Sequence, residues 1–177
     1  MEHKDYLVDV LDDSGMVVGQ KRRRDVDKRR DRVHVVHVLM LTPQNELVLS
    51  LIPERQDLPN VYARRLGATV AAIRRHDETP RKAAIRALER ELFMRGAKLQ
   101  LMGEGMIDLA DNYHMMMSAY WVMGEPPEHY STIDIDSLKA MPLPRFEAAL
   151  VANPDHFSAP LREIWQRWGG QLGTERG

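Results

Sequence analysis

The fold is decided by the stretch between Gly67 and Leu92. It contains the runs Gly67-Ala68-Thr69-Val70, Asp77-Glu78-Thr79-Pro80 and Ala83-Ala84-Ile85-Arg86-Ala87-Leu88-Glu89-Arg90-Glu91-Leu92. The first run is short and partly apolar, the second is polar, and the third consists mainly of good helix formers. The stretch therefore predicts a short strand, a loop and a helix, in that order.

The predicted helix has clear boundaries. Thr79 supplies a hydroxyl N-cap, and Pro80 fits the first helical position because no N–H is needed there. The helix is expected to run to about Arg95 and to end at Gly96. The apolar stripe that should face the core consists of Ala84, Leu88 and Leu92, with Ile85 beside them.

Strands are predicted on both sides of this stretch. Residues 6–20 indicate an opening hairpin, and Val33–Thr42 is nearly continuous in apolar residues, as in a central strand buried on both faces. Further strands are expected at residues 46–52, 66–70, 98–107 and 114–123. Helices are expected near residues 137–140, 144–151 and 159–168.

The order of these elements favours an α/β fold of the mixed α+β kind, with antiparallel or mixed strand pairing. We expect a single domain over residues 1–177. Its parts are the N-terminal hairpin at about 6–20, the helix-containing stretch at about 67–96 and the C-terminal helices at about 137–170.

Composition excludes several kinds of chemistry. The 177 residues include no cysteine, which rules out disulfides, thiolate catalysis and cysteine-bound zinc. The formal net charge is −1, so there is no overall polyelectrolyte character. No apolar run approaches the roughly 20 residues of a membrane span, and the polar residues Met1–Asp5 do not begin a signal peptide. A cytoplasmic protein without membrane association is expected.

A basic segment stands out against this balance. Residues 21–32 hold eight cations and three anions, with no aromatic residue among them. Single-stranded nucleic acid usually needs stacking platforms, so a nucleic-acid partner is not expected. The segment is either a solvated loop or part of a site for a small phosphorylated molecule, since arginine matches phosphate geometry.

The stretch quoted first resembles a Nudix box, the motif of Gly, Glu and Arg-Glu-x-x-Glu-Glu that defines the Nudix family. The positions that match are Glu78, Arg86, Leu88, Glu91 and Met94. The box is degenerate: Ala87 and Arg90 stand where the family has glutamates, Phe93 replaces a glycine, and Ala72 sits at the spacing of the first glycine.

With the strands before it, residues 6 to 125 resemble the Nudix subgroup related to isopentenyl-diphosphate isomerase. The resemblance implies an α/β/α sandwich with a central mixed sheet and a loop–helix–loop box that holds divalent metal. It also implies a substrate that contains a diphosphate linked to another group, often a nucleoside.

The resemblance assigns catalytic and metal-binding roles to Glu91 and Glu78, with Mg²⁺ or Mn²⁺ as the cofactor. The helix positions 87, 90 and 91 share one face, and with Ala87 and Arg90 the local charge changes from about −3 to about zero. Weak metal binding is therefore expected. For Glu78 the alternative is a bracing ion pair with Arg86, and for Glu91 it is a solvated position.

Four arginines are candidates for substrate binding: Arg90, Arg86, Arg24 and Arg65. For Arg90 the alternatives are a surface position or a guanidinium that takes the cation's place beside a phosphate. Two functions follow. One is a Nudix-type hydrolase acting on a diphosphate-linked, nucleoside-type substrate with reduced activity. The other is a Nudix-fold protein that binds a phosphorylated ligand or partner with impaired catalysis. A homodimer is compatible with either.

Overall fold

A computed structural model describes residues 6–56 and 60–174, so the prediction for Met1–Asp5 lies outside the described residues. The strands are β1 (Leu7–Leu11), β2 (Val17–Arg22), β3 (Val33–Leu41), β4 (Glu46–Leu51), β5 (Leu66–Gly67), β6 (Val70–Ile73), β7 (Gln100–Asp108), β8 (His114–Met123) and β9 (Ser137–Pro142). The α-helices are α1 (Pro80–Leu92), α2 (Leu143–Ala152) and α3 (Ala159–Trp168).

The central strand of the main sheet is β3, and all nine of its residues are buried. It pairs in parallel with β8 along one edge, from Val33 opposite Met115 to Leu41 opposite Met123. Its other edge is shared by β6 and β4, both antiparallel to it. The sheet is therefore mixed, which confirms the predicted fold class.

Side chains of β3 alternate between two apolar layers. Val35, Leu39 and Leu41 belong to one buried cluster, which includes residues of α2 and α3. Val36 and Val38 belong to a second cluster, which α1 covers. Because successive strand residues face opposite sides, a continuous apolar run fills both layers of the α/β/α sandwich.

Helix α1 confirms the predicted stripe. Ala84, Leu88 and Leu92 are at most 1% exposed. The Thr79 hydroxyl accepts a hydrogen bond from the Lys82 backbone N–H at 3.2 Å, as expected of an N-cap.

The opening hairpin, β1 and β2, forms a separate two-stranded sheet and is attached to the loop before α1. Buried Asp9 accepts a hydrogen bond from Arg74 Nη2 at 3.2 Å and lies 2.8 Å from His76 Nδ1. The hairpin therefore holds this loop in place from outside the main sheet.

Three boundaries differ from the predictions. Helix α1 ends at Leu92, because Phe93 adopts a left-handed conformation with φ 56°. The strand expected at residues 66–70 is two strands, β5 and β6, which pair with different neighbours. The helix expected at residues 137–140 is wrong: this segment is strand β9, which pairs with all six residues of β4. A four-residue helix is too short to be stable alone, so a full ladder of hydrogen bonds to β4 prevails.

None of the α-helices in the described part of the chain has the length and apolar run that crossing a bilayer requires.

Candidate ligand-binding site

A cavity of about 560 Å³ opens beside β3 and β6 and reaches the C-terminal half of α1. This volume lies within the usual range for small-molecule sites. The charged side chains that line it are Arg23, Lys28, Arg55, Arg90, Glu91 and Asp134.

Arg90 and Glu91 form the α1 side of the cavity. Arg90 Nη2 donates a hydrogen bond to Glu91 Oε1 at 3.1 Å, and the two side chains are 21% and 8% exposed. The Nε–H of Arg90 is buried without a hydrogen-bond partner among the described residues. The surface alternative for Arg90 therefore does not hold, and its guanidinium retains donors for a ligand.

The carboxyl group of Glu91 is buried, and the residue is 6% exposed. Burial raises its pKa to about 8, with a smaller contribution from Asp134, although the charge and hydrogen bond of Arg90 and a hydrogen bond to the Ala71 backbone oppose the shift. The solvated alternative for Glu91 does not hold either. At neutral pH the group is mostly protonated, which makes it a poor ligand for a cation.

Glu78 faces Arg86 and not the cavity. Arg86 Nε and Nη2 donate to Glu78 Oε2 and Oε1 at 2.9 and 2.8 Å, and the Arg75 backbone N–H donates to Oε1 at 3.3 Å. Arg86 also donates to the Ile73 carbonyl at 3.0 Å. The pair therefore braces the loop before α1 against β6 and the helix.

The four candidate phosphate-binding arginines are not brought together. Of these, only Arg90 lines the cavity. Arg86 is held by Glu78, Arg24 is exposed, and Arg65 is partly buried at a turn where its backbone N–H donates to the Tyr62 carbonyl. A role for Arg24, Arg65 or Arg86 in substrate binding stays a prediction.

The structure adds cavity residues that pattern reasoning did not select. Arg23 and Lys28 come from the basic segment, and His37 comes from the middle of β3. The only signal in the sequence was the density of cations between residues 21 and 32, which does not show which of them turn inward.

The two histidines of β3 point to opposite faces, as their spacing predicts. On the face away from the cavity, His34 Nε2 lies 2.7 Å from Ser118 Oγ, and Ser118 donates to Glu104 Oε2 at 2.6 Å. These hydrogen bonds link β3, β8 and β7 across the sheet, and Ser118 is fully buried.

The fit of the described residues to a magnesium site is poor. Within residues 6–56 and 60–174, no group of three His, Asp or Glu side chains is placed to hold a metal ion. Glu78 and Glu91 are each bound to an arginine. Ala87 is fully buried in the apolar layer under α1, so a glutamate there would point into the core.

No family model and no curated protein matches the sequence. The structure, in contrast, is similar to several solved structures. DR0079 from Deinococcus radiodurans has a TM-score of 0.75 at 18% identity, with 92% of this chain and 98% of that chain covered. The MutT protein from Methanosarcina mazei Go1 has a TM-score of 0.62 at 13% identity, with coverage of 81% and 96%.

A third similar structure is the NUDIX domain of Shewanella oneidensis NrtR in complex with ADP ribose. Its TM-score is 0.60 at 11% identity, and the alignment covers 84% of this chain and 95% of that domain. The chain therefore has the Nudix fold. At these identities the likeness concerns the fold alone.

Proposed function

We propose that this chain binds a diphosphate-linked compound of nucleoside type in the cavity, with Arg90 in the role that a divalent cation has in an intact Nudix box. The observation that carries the proposal is the position of the Arg90 guanidinium. It lines the cavity and is mostly buried, and its Nε–H has no partner among the described residues.

A guanidinium suits this role because it is always charged and can bind a phosphate through two parallel hydrogen bonds. A box with several glutamates is negative and needs a metal to attract phosphate. Here Glu91 is the one carboxyl group of α1 that lines the cavity among the described residues, and burial raises its pKa to about 8, so Arg90 supplies the positive charge on this side of the cavity.

The same arrangement disfavours hydrolysis. A metal ion lowers the pKa of bound water and so supplies hydroxide at neutral pH, whereas arginine does not. Glu91, the remaining candidate base, is bonded to Arg90, and burial raises its pKa to about 8. Slow turnover at most is therefore expected.

Calorimetry in excess EDTA tests the proposal, with ADP and ADP ribose as probes. The wild type should bind both without metal. Arg90→Met should weaken binding about tenfold to a hundredfold, the cost of one buried charge-assisted contact. Arg95→Met, which changes an exposed arginine just beyond α1, is the matched control and should bind as the wild type does.

A second candidate is a Nudix-type hydrolase that uses Mg²⁺ or Mn²⁺ bound through Glu91. The similarity of the fold to MutT and NUDIX proteins supports it. Release of phosphate or nucleotide product from ADP ribose, dependent on Mg²⁺ and abolished by EDTA and by Glu91→Gln, would establish this function. If Arg90→Met binds ADP and ADP ribose in EDTA as tightly as the wild type does, the proposed metal-independent binding through Arg90 is refuted.

A further inference from the structure

Two cations line the cavity without an ion pair to any acidic side chain in residues 6–56 and 60–174. Arg23 and Lys28 both line it, and the charge of Arg23 acts on the Lys28 ammonium. Among the described residues, Lys28 has no ion pair, although its neighbour Lys21 is held by Asp31 at 2.7 Å. Two like charges brought together in a concave site repel each other, so this arrangement costs free energy unless an anion joins it.

The acidic groups of the cavity are engaged elsewhere. Glu91 accepts the hydrogen bond of Arg90, and Asp134 Oδ2 accepts one from Ser131 Oγ at 2.7 Å. Neither carboxyl group forms an ion pair with Lys28 among the described residues.

His37 adds an unpartnered polar atom to the same place. The residue is 6% exposed and lines the cavity, and no residue in the described part of the chain hydrogen-bonds its buried Nδ1. Burial lowers its pKa to about 3, with a further contribution from the charge of Lys28, so the ring is neutral at physiological pH. A neutral imidazole can donate an N–H to a ligand oxygen from Nδ1.

The strand register places this group beside the Arg90 side of the cavity. His37 in β3 is paired with Ala71 in β6, and the Ala71 backbone bonds the Glu91 carboxyl group. Neighbouring strands lie about 5 Å apart, and both sets of donors line the same cavity.

We propose that Lys28 and His37 form an anion subsite separate from Arg90, and that the ligand therefore presents anionic groups, phosphate or carboxylate, at two places in the cavity. The statement about the ligand rests on the proposed function. The subsite itself rests only on the unpaired lysine, the unpaired imidazole nitrogen and the cavity they line.

An anion at this subsite has a protonation signature. Burial, together with Arg23, lowers the pKa of Lys28 to about 8. A bound anion supplies the missing opposite charge and should raise that pKa, so that binding takes up a proton near pH 8–9. The other titratable groups that line the cavity are Arg55, Arg90, Glu91, Asp134, Tyr6, Tyr62 and Tyr113.

The test is an NMR titration of the full chain with lysine labelled at the side-chain nitrogen and neighbouring carbon, in EDTA. Lys28→Met assigns the signal, and exposed Lys139 is the internal control. Inorganic phosphate and pyrophosphate should raise the pKa of Lys28 from about 8 to about 9 or above and leave Lys139 unchanged.

Affinity for pyrophosphate, measured by calorimetry, is the second readout. Lys28→Met and His37→Leu should each weaken binding, the former by about tenfold. Lys28→Arg retains the charge and should bind within about threefold of the wild type. If Lys28→Arg binds pyrophosphate and Lys28→Met does not, the loss of affinity is due to the lost charge and not to a disturbed fold.

The outcomes distinguish this inference from the proposed function. If phosphate still raises the pKa of Lys28 in Arg90→Met, while that variant binds ADP as the wild type does, the subsite stands and the role of Arg90 falls. If Arg90→Met weakens ADP binding, but neither probe changes the pKa of Lys28 and Lys28→Met binds pyrophosphate fully, the subsite does not exist.

Discussion

The guanidinium of Arg86 donates hydrogen bonds to both carboxylate oxygens of Glu78, at 2.8 and 2.9 Å. Both side chains are less than 20% exposed. Arg86 also bonds the Ile73 carbonyl, and its guanidinium lies 5.7 Å from the centre of the Tyr6 ring. One ion pair thus links α1, the loop before it, β6 and the start of the opening hairpin, which makes it a structural element of the box.

The first prediction concerns this pair. Arg86→Met should lower the free energy of unfolding by about 3 kcal/mol, because it leaves a mostly buried carboxylate without its partner. Urea denaturation measures the change. Glu89→Gln, at an exposed position of the same helix, is the control and should cost less than about 0.5 kcal/mol. A loss as small in Arg86→Met as in this control would show that the pair does not brace the loop.

The second prediction concerns the pH dependence contributed by Glu91. Its pKa is raised to about 8 in the folded protein, mainly by burial, whereas an unfolded glutamate titrates near 4.5. Between these values the folded state binds the extra proton, so this group makes stability fall as pH rises from about 4.5 to 8.

Glutamine does not titrate, so Glu91→Gln removes the contribution of this residue to the pH dependence of stability. The stability of the wild type relative to Glu91→Gln should therefore decrease between pH 5 and pH 8, by more than about 1 kcal/mol. Urea titrations of both proteins across this interval measure it. A difference that stays constant, or that grows with pH, would mean that Glu91 is ionised in the folded state.

The third prediction concerns the end of α1. Phe93 has a left-handed backbone with φ 56° and a ring that is 62% exposed. Glycine adopts this conformation without the steric cost of a Cβ, so Phe93→Gly should raise the free energy of unfolding by about 0.5–1 kcal/mol. Phe93→Ala removes the ring but keeps the Cβ and its steric cost, so it should not raise the free energy of unfolding. Equal melting temperatures for the two variants would count against a strained helix end.

The fourth prediction concerns the contact between β7 and α3. A Cβ on Gly103 would overlap the Trp168 ring, whereas one on Gly105 would lie 3.7 Å from it, an ordinary contact distance. Gly103→Ala should therefore displace the ring and cost about 1–3 kcal/mol, as overpacking does. Gly105→Ala is the matched control. Tryptophan fluorescence and urea denaturation report both effects, and equal behaviour of the two variants would disprove the contact.

The fifth prediction concerns metal. Arg90→Glu replaces a cation that repels Mg²⁺ with a carboxylate, in a cavity that Asp134 also lines. Mg²⁺ prefers oxygen ligands, so this variant should bind Mg²⁺ at least about tenfold more tightly than the wild type. Arg90→Gln removes the positive charge without adding a ligand and is the control. Calorimetry with MgCl₂ measures the Mg²⁺ affinity of the three proteins. Tight Mg²⁺ binding by the wild type itself would contradict the prediction.

Much of the fold follows from local patterns in the sequence. The N-cap at Thr79, the continuous apolar run of β3 and the alternation in residues 6–20 predicted their elements because helix caps, strand periods and turns depend on neighbours in the chain. The segment 137–140 shows the limit. Its strand conformation comes from β4, which lies some 90 residues earlier, and nothing local encodes that pairing.

Some features of the candidate site also follow from the sequence, whereas others depend on the tertiary structure. The sequence by itself determined that α1 carries arginine at position 90 and only one carboxylate on the box face, and that the chain is rich in cations before β3. Only the tertiary structure decided that Arg90, Glu91, His37 and Lys28 line one cavity, while Glu78 and Arg86 bond each other outside it. Burial and charge contact depend on distances between strands and helices far apart in the chain, and the pKa values of these groups are set by those distances.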